Sequence, residues 1–526
     1  VKRFGLKVVV ILAIPLAFPA FGQGLSQFTL DDFLVNDDTG SAEQEYCDVA
    51  MNSAGNIVIT WNDWRNGYGP DIYAQRYSSS GTAIGPNFKV NDDTGSAYQY
   101  NPAVAMDGSG NYVITWSDWR YGSYPIYADI YVQRFDSSGA AIGPNFKVND
   151  DTDTGAISHS FPAVVMDVAG NFIICWEDNR SYLDIYAQRY SSSGAAIGSN
   201  FKVNDNNLAL CLNPTIAIDG TGKFVVSWID YRNGNPDIYA QRFNSSGTAI
   251  GSNFKVCDDT GNAWPMHPSV AMDNVGKFVI TWEDYRNSYY PYDNSDIYAQ
   301  RYSSSGLALG SNFRVNSDTG KAFQYYPAIA MDKAGRFVIA WEDWRYAAGP
   351  NYYRWTYAQK YNSSGGLIDT NYWVHNPLYA SLNEDPAVAP NDSTICLVWK
   401  DSRGGYAKGW DIYAKIVDWT WAGCNFVPGD VNGVGGITLT DIIHLINFYF
   451  DKDKPPCLGS DLGNCWEPFP LCRGDIDGIG GTTLTDIIYL VNYYFDKSRP
   501  ATSCNGADPG NCWTPVASDG CCLPVP

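Results

Sequence analysis

The sequence predicts an all-β ring of seven four-stranded blades, a β-propeller, followed by a small α-helical, disulfide-rich domain. Three observations predict the ring. A unit of roughly 50 to 60 residues repeats from about residue 33 to 420. Its tryptophan recurs seven times, at Trp61, Trp116, Trp176, Trp228, Trp282, Trp341 and Trp399. Each unit holds four short apolar runs separated by Gly, Asn, Asp and Ser turns. Four strands in each of seven units is the arithmetic of a propeller, whereas a β-solenoid is built from shorter repeats.

Composition agrees with this class. Of 526 residues, 45% are apolar and 17% charged, enough apolar material for a core and incompatible with a disordered chain. Asp and Glu outnumber Lys and Arg by 56 to 35, giving a formal charge of -21 with no basic stripe, which argues against a nucleic-acid or anionic-membrane partner. The 37 Tyr, 18 Trp and 50 Gly suit short strands and many turns.

In chain order, residues 1–22 read as an export signal. Lys2, Arg3 and Lys7 precede the run VVVILAIPLAF, and Ala20-Phe21-Gly22 supplies small residues for cleavage near Gly22. The run is broken by Pro15 and Pro19 and is too short for an integral membrane span, so an extracellular product, possible at the cell surface, is expected. Residues 23–421 are assigned to the propeller. Its first strand (PAVAM) is rich in small residues such as Ala103 and Ala105 and is placed innermost, where a ring is crowded. The second (NYVITW) alternates, the third is DIYVQRF and the short fourth is FKV. The last unit ends DIYAKIVDW without a fourth strand, while Phe33-Leu34-Val35 precedes the first unit without partners. The N-terminal strand therefore completes the seventh blade, closing the ring and leaving no free edge.

This pattern resembles the repeats of secreted bacterial seven-bladed propellers of the form MDxxGxFVITWxDxRxxxxDIYAQRY. The resemblance covers about three quarters of the chain and implies the fold, with little to say about function. The hairpin D-x-x-G-x-F is similar to the Asp-box of sialidase propellers but is spaced differently, which weakens a sialidase reading.

Every unit carries W-x-D-x-R, from Asp63 and Arg65 through Asp118 and Arg120 to Arg403. A sevenfold residue does not furnish an asymmetric site, so these pairs are expected to be structural clamps, as are Asp71, Asp129 and Asp237 of the DIYAQR run. Function is expected where the copies differ. Antiparallel alternation places the loops after the second and fourth strands on one face, and these loops vary in length and are rich in aromatics. They carry Tyr68, Tyr121, Tyr124, Tyr289, Tyr290, Tyr292, Tyr352, Tyr353 and Trp410, with Tyr98, Tyr100, Trp264, Tyr325 and Tyr326 in the loops entering the first strands. Flat aromatic faces with polar tips suit a glycan or a protein loop; the alternative is that they pack on one another. The acidic turns Asn91-Asp92-Asp93-Thr94 and Asp258-Asp259-Thr260 are read as Asx turns in preference to calcium sites. His159 and His267 lie on this face and could act as bases, although isolated histidines are commonly incidental.

Residues 422–526 form the second domain, with two copies of one unit: DVNGVGGITLTDIIHLINFYF from Asp430 and DIDGIGGTTLTDIIYLVNYYF from Asp475. Asp430, Asn432, Gly436, Thr438 and Asp441 fall at calcium-loop positions 1, 3, 7, 9 and 12, and Asp475, Asp477, Gly481, Thr483 and Asp486 repeat them. Position 5 is Val434 or Ile479 and offers no side-chain ligand. A capping box is the alternative use of Thr438 with Asp441 and of Thr483 with Asp486. The duplication resembles type I dockerin modules. That resemblance implies calcium as cofactor and a cohesin-like or other surface protein as partner, met through Leu439-Thr440 and Leu484-Thr485. Of the 13 cysteines, eight lie at or beyond Cys424, an even set suited to disulfides, while Cys47, Cys175, Cys211, Cys257 and Cys396 are scattered through the ring.

The leading expectation is a secreted, non-catalytic binding and assembly protein whose propeller recognises a glycan or protein and whose tail tethers it in a calcium-dependent manner. The alternative is an extracellular polysaccharide-degrading enzyme, a glycoside hydrolase or lyase on a propeller scaffold. No acid motif nominates itself for catalysis.

Overall fold

A computed structural model describes residues 32–419 apart from 122–126, 152–156, 181, 207, 260–262, 289–293, 319–321, 346–353, 369–370, 376–381 and 404–408. The export signal, the whole calcium-loop domain with its metal and partner residues, and Tyr124, Tyr289, Tyr290, Tyr292, Tyr352 and Tyr353 lie outside the described residues.

The described residues form 28 strands in seven antiparallel sheets of four. Blade 2 shows the plan: Gln99–Met106, Tyr112–Asp118, Asp129–Phe135 and Phe146–Lys147 pair in that order. Blades 1 and 3 to 7 begin at Gln44, His159, Cys211, Met266, Gln324 and Asn383. The second strand is buried along its whole length in blades 1 to 6, because neighbouring blades cover both of its faces. Its seven tryptophans are fully buried. Apolar clusters accordingly span blade boundaries; Trp61 and Ile59 of blade 1 pack with Val398, Ile412 and Ala414 of blade 7.

Ring closure follows the sequence expectation. Phe33–Leu34 pairs with Asp411–Asp418, placing Phe33 opposite Ala414 and Leu34 opposite Tyr413. Polar groups fasten the same seam: Asn36 Nδ2 donates to Asp411 Oδ1 at 2.8 Å, and Arg403 Nη2 lies 3.1 Å from buried Asp32. The W-x-D-x-R residues are clamps. In blade 4, Trp228 Nε1 donates to Asp230 Oδ2 at 2.9 Å, Arg232 Nη2 reaches the same oxygen at 2.8 Å, and the guanidinium stacks 4.0 Å above Tyr239. One carboxylate thus satisfies a buried indole and a half-buried cation that would otherwise be left without partners. Cys47, Cys175, Cys211, Cys257 and Cys396 are free thiols.

Gln44 sits opposite Asp63, so the start of each first strand and the end of each second strand share a face. That is the face with the irregular loops. No helix among the described residues is long and apolar enough to cross a membrane.

Candidate active site at the axial cavity

Each first strand is bulged near its start, with the register shifting between Glu45 and Asp48 in blade 1 and at the equivalent place in every other blade. The bulge holds one residue in the left-handed region: Tyr46, Asn101, Phe161, Asn213, His267, Tyr326 and Asp385, with φ between 47° and 55°. None is glycine, so each carries a backbone cost of about 1 kcal/mol or more. In six blades a proline follows, removing a backbone donor that the bulge could not satisfy; Cys47 takes that place in blade 1. These seven residues line an axial cavity of about 320 Å³ on the irregular face. A strained turn kept in every blade but filled with a different side chain each time is how a symmetric ring presents an asymmetric lining.

Behind this ring each blade offers a facing pair, one residue from the first strand and the middle residue of W-x-D. Around the ring the pairs are Glu45 and Asn62, Tyr100 and Ser117, Ser160 and Glu177, Leu212 and Ile229, Tyr325 and Glu342, and Glu384 and Lys400, with Met266 opposite Glu283 in blade 5. Blade 4 is apolar here. Charge gathers on blades 5, 6, 7 and 1.

In that arc His267 Nδ1 lies 2.9 Å from Glu283 Oε2, and Tyr285 Oη donates to Glu283 Oε1 at 2.6 Å. The His267 ring packs on Tyr326 with centroids 4.5 Å apart. Trp344 Nε1 donates to Glu342 Oε1 at 2.6 Å. Arg354 lies over Trp344, pairs with Glu384 and brings its Nε to 3.9 Å from Glu342 Oε1. Lys400 Nζ lies 3.2 Å from Glu384 Oε2, 3.5 Å from Glu45 Oε1 and 4.2 Å from the Trp410 ring centroid.

Crowded carboxyls with too few cations cannot all stay ionised. Burial, reinforced by Glu384 and Asp385, pushes the Glu342 carboxyl up to about 8. Burial pushes Asp385 up to about 6; Glu384 and Glu45 add to the rise while Lys400 opposes it. Among the described residues Asp385 is the one carboxyl that lines the cavity. Among the described residues no hydrogen bond reaches its carboxyl; its backbone carbonyl accepts from Cys47 Sγ at 3.4 Å. A cavity-facing acid that titrates close to neutrality can both give and take a proton. Glu177, raised to about 7 by burial, stands apart on blade 3, accepting from the Asn213 N–H at 2.6 Å.

The expected site residues divide. Tyr68 and Tyr121 are about four-fifths exposed on the irregular face and do not line the cavity. Trp410 joins the charged arc through Lys400. Tyr98 and Tyr100 pack against Trp64, as the packing alternative requires, and Tyr325 stacks on Phe323 and Trp344, while Tyr326 reaches the cavity. The two histidines separate in the same way. His159 is buried with its Nδ1 3.0 Å from the Ala128 carbonyl and its Nε2 3.4 Å from Asp178, a structural position, whereas His267 lines the cavity beside a carboxylate. Glu283, Glu342, Glu384 and Asp385 were not singled out by the sequence. The middle residue of W-x-D, which runs Asn, Ser, Glu, Ile, Glu, Glu, Lys around an otherwise constant motif, is the signal that finds Glu283 and Glu342; Glu384 and Asp385 stand on the first strand of blade 7, outside that motif.

The opposite end of the axis holds a smaller cavity of about 170 Å³ lined by the first hairpins, including Met51, Asp107, Asp167, Asp219 and Asp332. Its aspartates cap their own turns, as where Asp107 Oδ1 accepts from the Ser109 and Asn111 N–H groups at 2.8 and 2.9 Å. That end repeats itself and offers no asymmetric lining.

No protein-family model matches the chain, and no curated protein matches it in sequence. Among solved structures, a protein of unknown function from Dyadobacter fermentans matches with TM-score 0.44 and 10% identity over 74% of this chain and 98% of that one. The α-L-arabinanase of Penicillium chrysogenum in complex with arabinobiose matches with TM-score 0.42 and 12% identity over 75% and 99%. The polysaccharide lyase Uly1 matches with TM-score 0.41 and 10% identity over 70% and 90%. An α-L-arabinofuranosidase and sialidases are also among the matches. At such identities the likeness is one of fold. The expectation of a non-catalytic binding and assembly protein, and the leaning against an enzyme, are corrected on the site itself: the Asp385 carboxyl lines the cavity and is raised to about 6, with Glu45, Glu342 and Glu384 in the facing pairs behind it.

Proposed function

We propose that this chain is an extracellular polysaccharide-degrading enzyme, a glycoside hydrolase, acting at the axial cavity of the irregular face. The observation that carries the reading is Asp385: a carboxyl lining the cavity, held on a strained bulge and raised to about 6 beside further carboxyls. Asp385 is the proton donor to the leaving oxygen. Glu45 and Glu384, fixed by Lys400 and Arg354, supply the negative charge that stabilises an oxocarbenium-like sugar. Glu342 stays protonated beneath them, which relieves repulsion within the cluster. Tyr46, Phe161 and Tyr326, each partly exposed at the mouth, give apolar faces for sugar rings.

Charge selects the substrate class. Among the described residues both cations of the arc, Arg354 and Lys400, are already engaged by Glu384, an arrangement that suits a neutral glycan better than an acidic one. The second reading, a lyase, is favoured by one observation: His267 on Glu283, with Tyr326 against its ring, is a base set up to abstract a carbon-bound proton. Digestion of plant, algal and microbial polysaccharides with product analysis separates the two. Saturated products with new reducing ends mean hydrolysis, ultraviolet-absorbing unsaturated products mean elimination, and no turnover of any polymer contradicts both.

The tail retains its proposed role. The duplicated loops bind calcium and hold the enzyme to a partner or a surface, a reading supported by the paired ligand spacing from Asp430 and Asp475.

A further inference from the structure

In three blades the turn after the fourth strand carries an asparagine that joins two carboxylates. Asn91 Nδ2 donates to Asp71 Oδ1 at 2.8 Å and to Asp93 Oδ1 at 2.5 Å. Asn149 does the same for Asp129 and Asp151, both at 2.7 Å, and Asn316 for Asp296 and Asp318, both at 2.7 Å. Asn36 and Asn204 occupy the same place against Asp411 and Asp184, and His375 occupies it in blade 6. Blade 4 alone has a cysteine here.

Cys257 leaves the pair around it short of donors. Its sulfur accepts the Ile238 N–H at 3.4 Å, in the way the asparagine oxygen accepts elsewhere, and lies 3.5 Å from Asp237 Oδ1. No amide from this turn replaces the missing asparagine; Asn233 Nδ2 donates to the far oxygen of Asp237, Oδ2, at 2.9 Å. Among the described residues no hydrogen bond reaches buried Asp259 Oδ1, whose side chain is only 6% exposed, and its counter-charge is Lys255 Nζ at 3.7 Å. Ligand atoms of Asp237, Cys257 and Asp259 all lie within 4.8 Å of one another.

We propose that Asp237, Cys257 and Asp259 form a binding site for a divalent transition-metal ion of the zinc class. The chemistry selects the ion: a thiolate excludes calcium and magnesium, whose ligands are oxygens, and a thiolate with two carboxylates suits a borderline-soft ion with a water in the fourth place. The geometry agrees. Bonds of about 2.3 Å to sulfur and about 2.0 Å to oxygen at a tetrahedral angle put the two ligand atoms roughly 3.5 Å apart, which is the spacing from Cys257 Sγ to Asp237 Oδ1. Without metal, Lys255 Nζ fills the place at 2.7 Å from Asp237 Oδ1, on a side chain one-third exposed and free to swing out. Metal entry therefore exchanges an ammonium for a dication and releases the thiol proton to solvent. Burial and the two carboxylates hold the thiol protonated in the metal-free state, so affinity rises with pH. The ion would tie the start of the third strand of blade 4 to the segment that leads into Met266–Met272, the strand carrying His267.

The test titrates Co²⁺ and Zn²⁺ into the full chain and into Cys257→Asn, which restores the residue of the other blades and so preserves the fold. The difference between the two chains removes any contribution from the tail cysteines. Wild type is expected to take up one more equivalent than the variant and to show a sulfur-to-cobalt charge-transfer band that the variant lacks, and Lys255→Met is expected to bind severalfold more tightly. Equal stoichiometry and identical cobalt spectra in wild type and Cys257→Asn would overturn the site.

Discussion

Asp385 and Glu342 show how one cluster gives two carboxyls different work. Both are raised by burial and by neighbouring acids, but Asp385 faces the cavity and Glu342 does not. A carboxyl whose folded value lies above its unfolded one stabilises the fold fully below the unfolded value, and that contribution is lost as pH rises through the folded value. For Glu342 the window runs from the ordinary glutamate range to about 8. Glu342→Gln is therefore expected to flatten the loss of thermal stability between pH 5 and pH 9 (roughly the span of that window) and to melt higher than wild type at the alkaline end; parallel Tm profiles for the two chains would contradict it. At the clamp the sign is opposite in kind. Asp230→Ala strands the Trp228 indole and Arg232, and a loss of about 3 kcal/mol is expected in denaturant unfolding. The clamps were legible in the sequence because seven copies of W-x-D-x-R exclude an asymmetric role. The acids were not, because Glu177, Glu283 and Glu342 stand at a position that looks like filler until the seven copies are aligned by face.

Among elements, the closing strand and the bulged first strand carry the most consequence. Phe33–Leu34 is short, so its hold on blade 7 rests on Asn36 and Asp32 as much as on the ladder. Asn36→Ala leaves the buried Ile412 N–H without its acceptor and removes one donor from Asp411. Faster amide exchange across Asp411–Asp418, with the other six blades unchanged, is the expected outcome of hydrogen-exchange measurement. This closure was legible in the missing seventh fourth strand, since a count of strands exposes a gap that Phe33-Leu34-Val35 can fill. It did not announce the bulge: Tyr46, Asn101 and Asp385 share no residue type, and a left-handed turn without glycine has no simple sequence mark. The tail was legible only as spacing. Full-length protein is expected to bind calcium at both loops, and Asp475→Ala with Asp486→Ala to remove one of the two sites in calorimetry; unchanged stoichiometry would reduce those residues to helix caps.

At the scale of the whole molecule, the ring separates structure from function by symmetry. What all seven blades share, the buried Trp, the clamp and the strained bulge, builds the channel; what they do not share, the side chain on each bulge and the pair behind it, gives the channel a charged arc and an apolar one. Aromatic surplus pointed to the irregular face but not to the acids on it, because several of its tyrosines pack on tryptophans. The most direct measurement is turnover by Asp385→Asn. On a polysaccharide that the wild type cleaves, with the fold checked by circular dichroism, Asp385→Asn is expected to lower kcat by about 10² to 10⁴ and to remove the alkaline limb expected of the wild type above about 6. Wild-type rates and an unchanged pH profile in Asp385→Asn would contradict it.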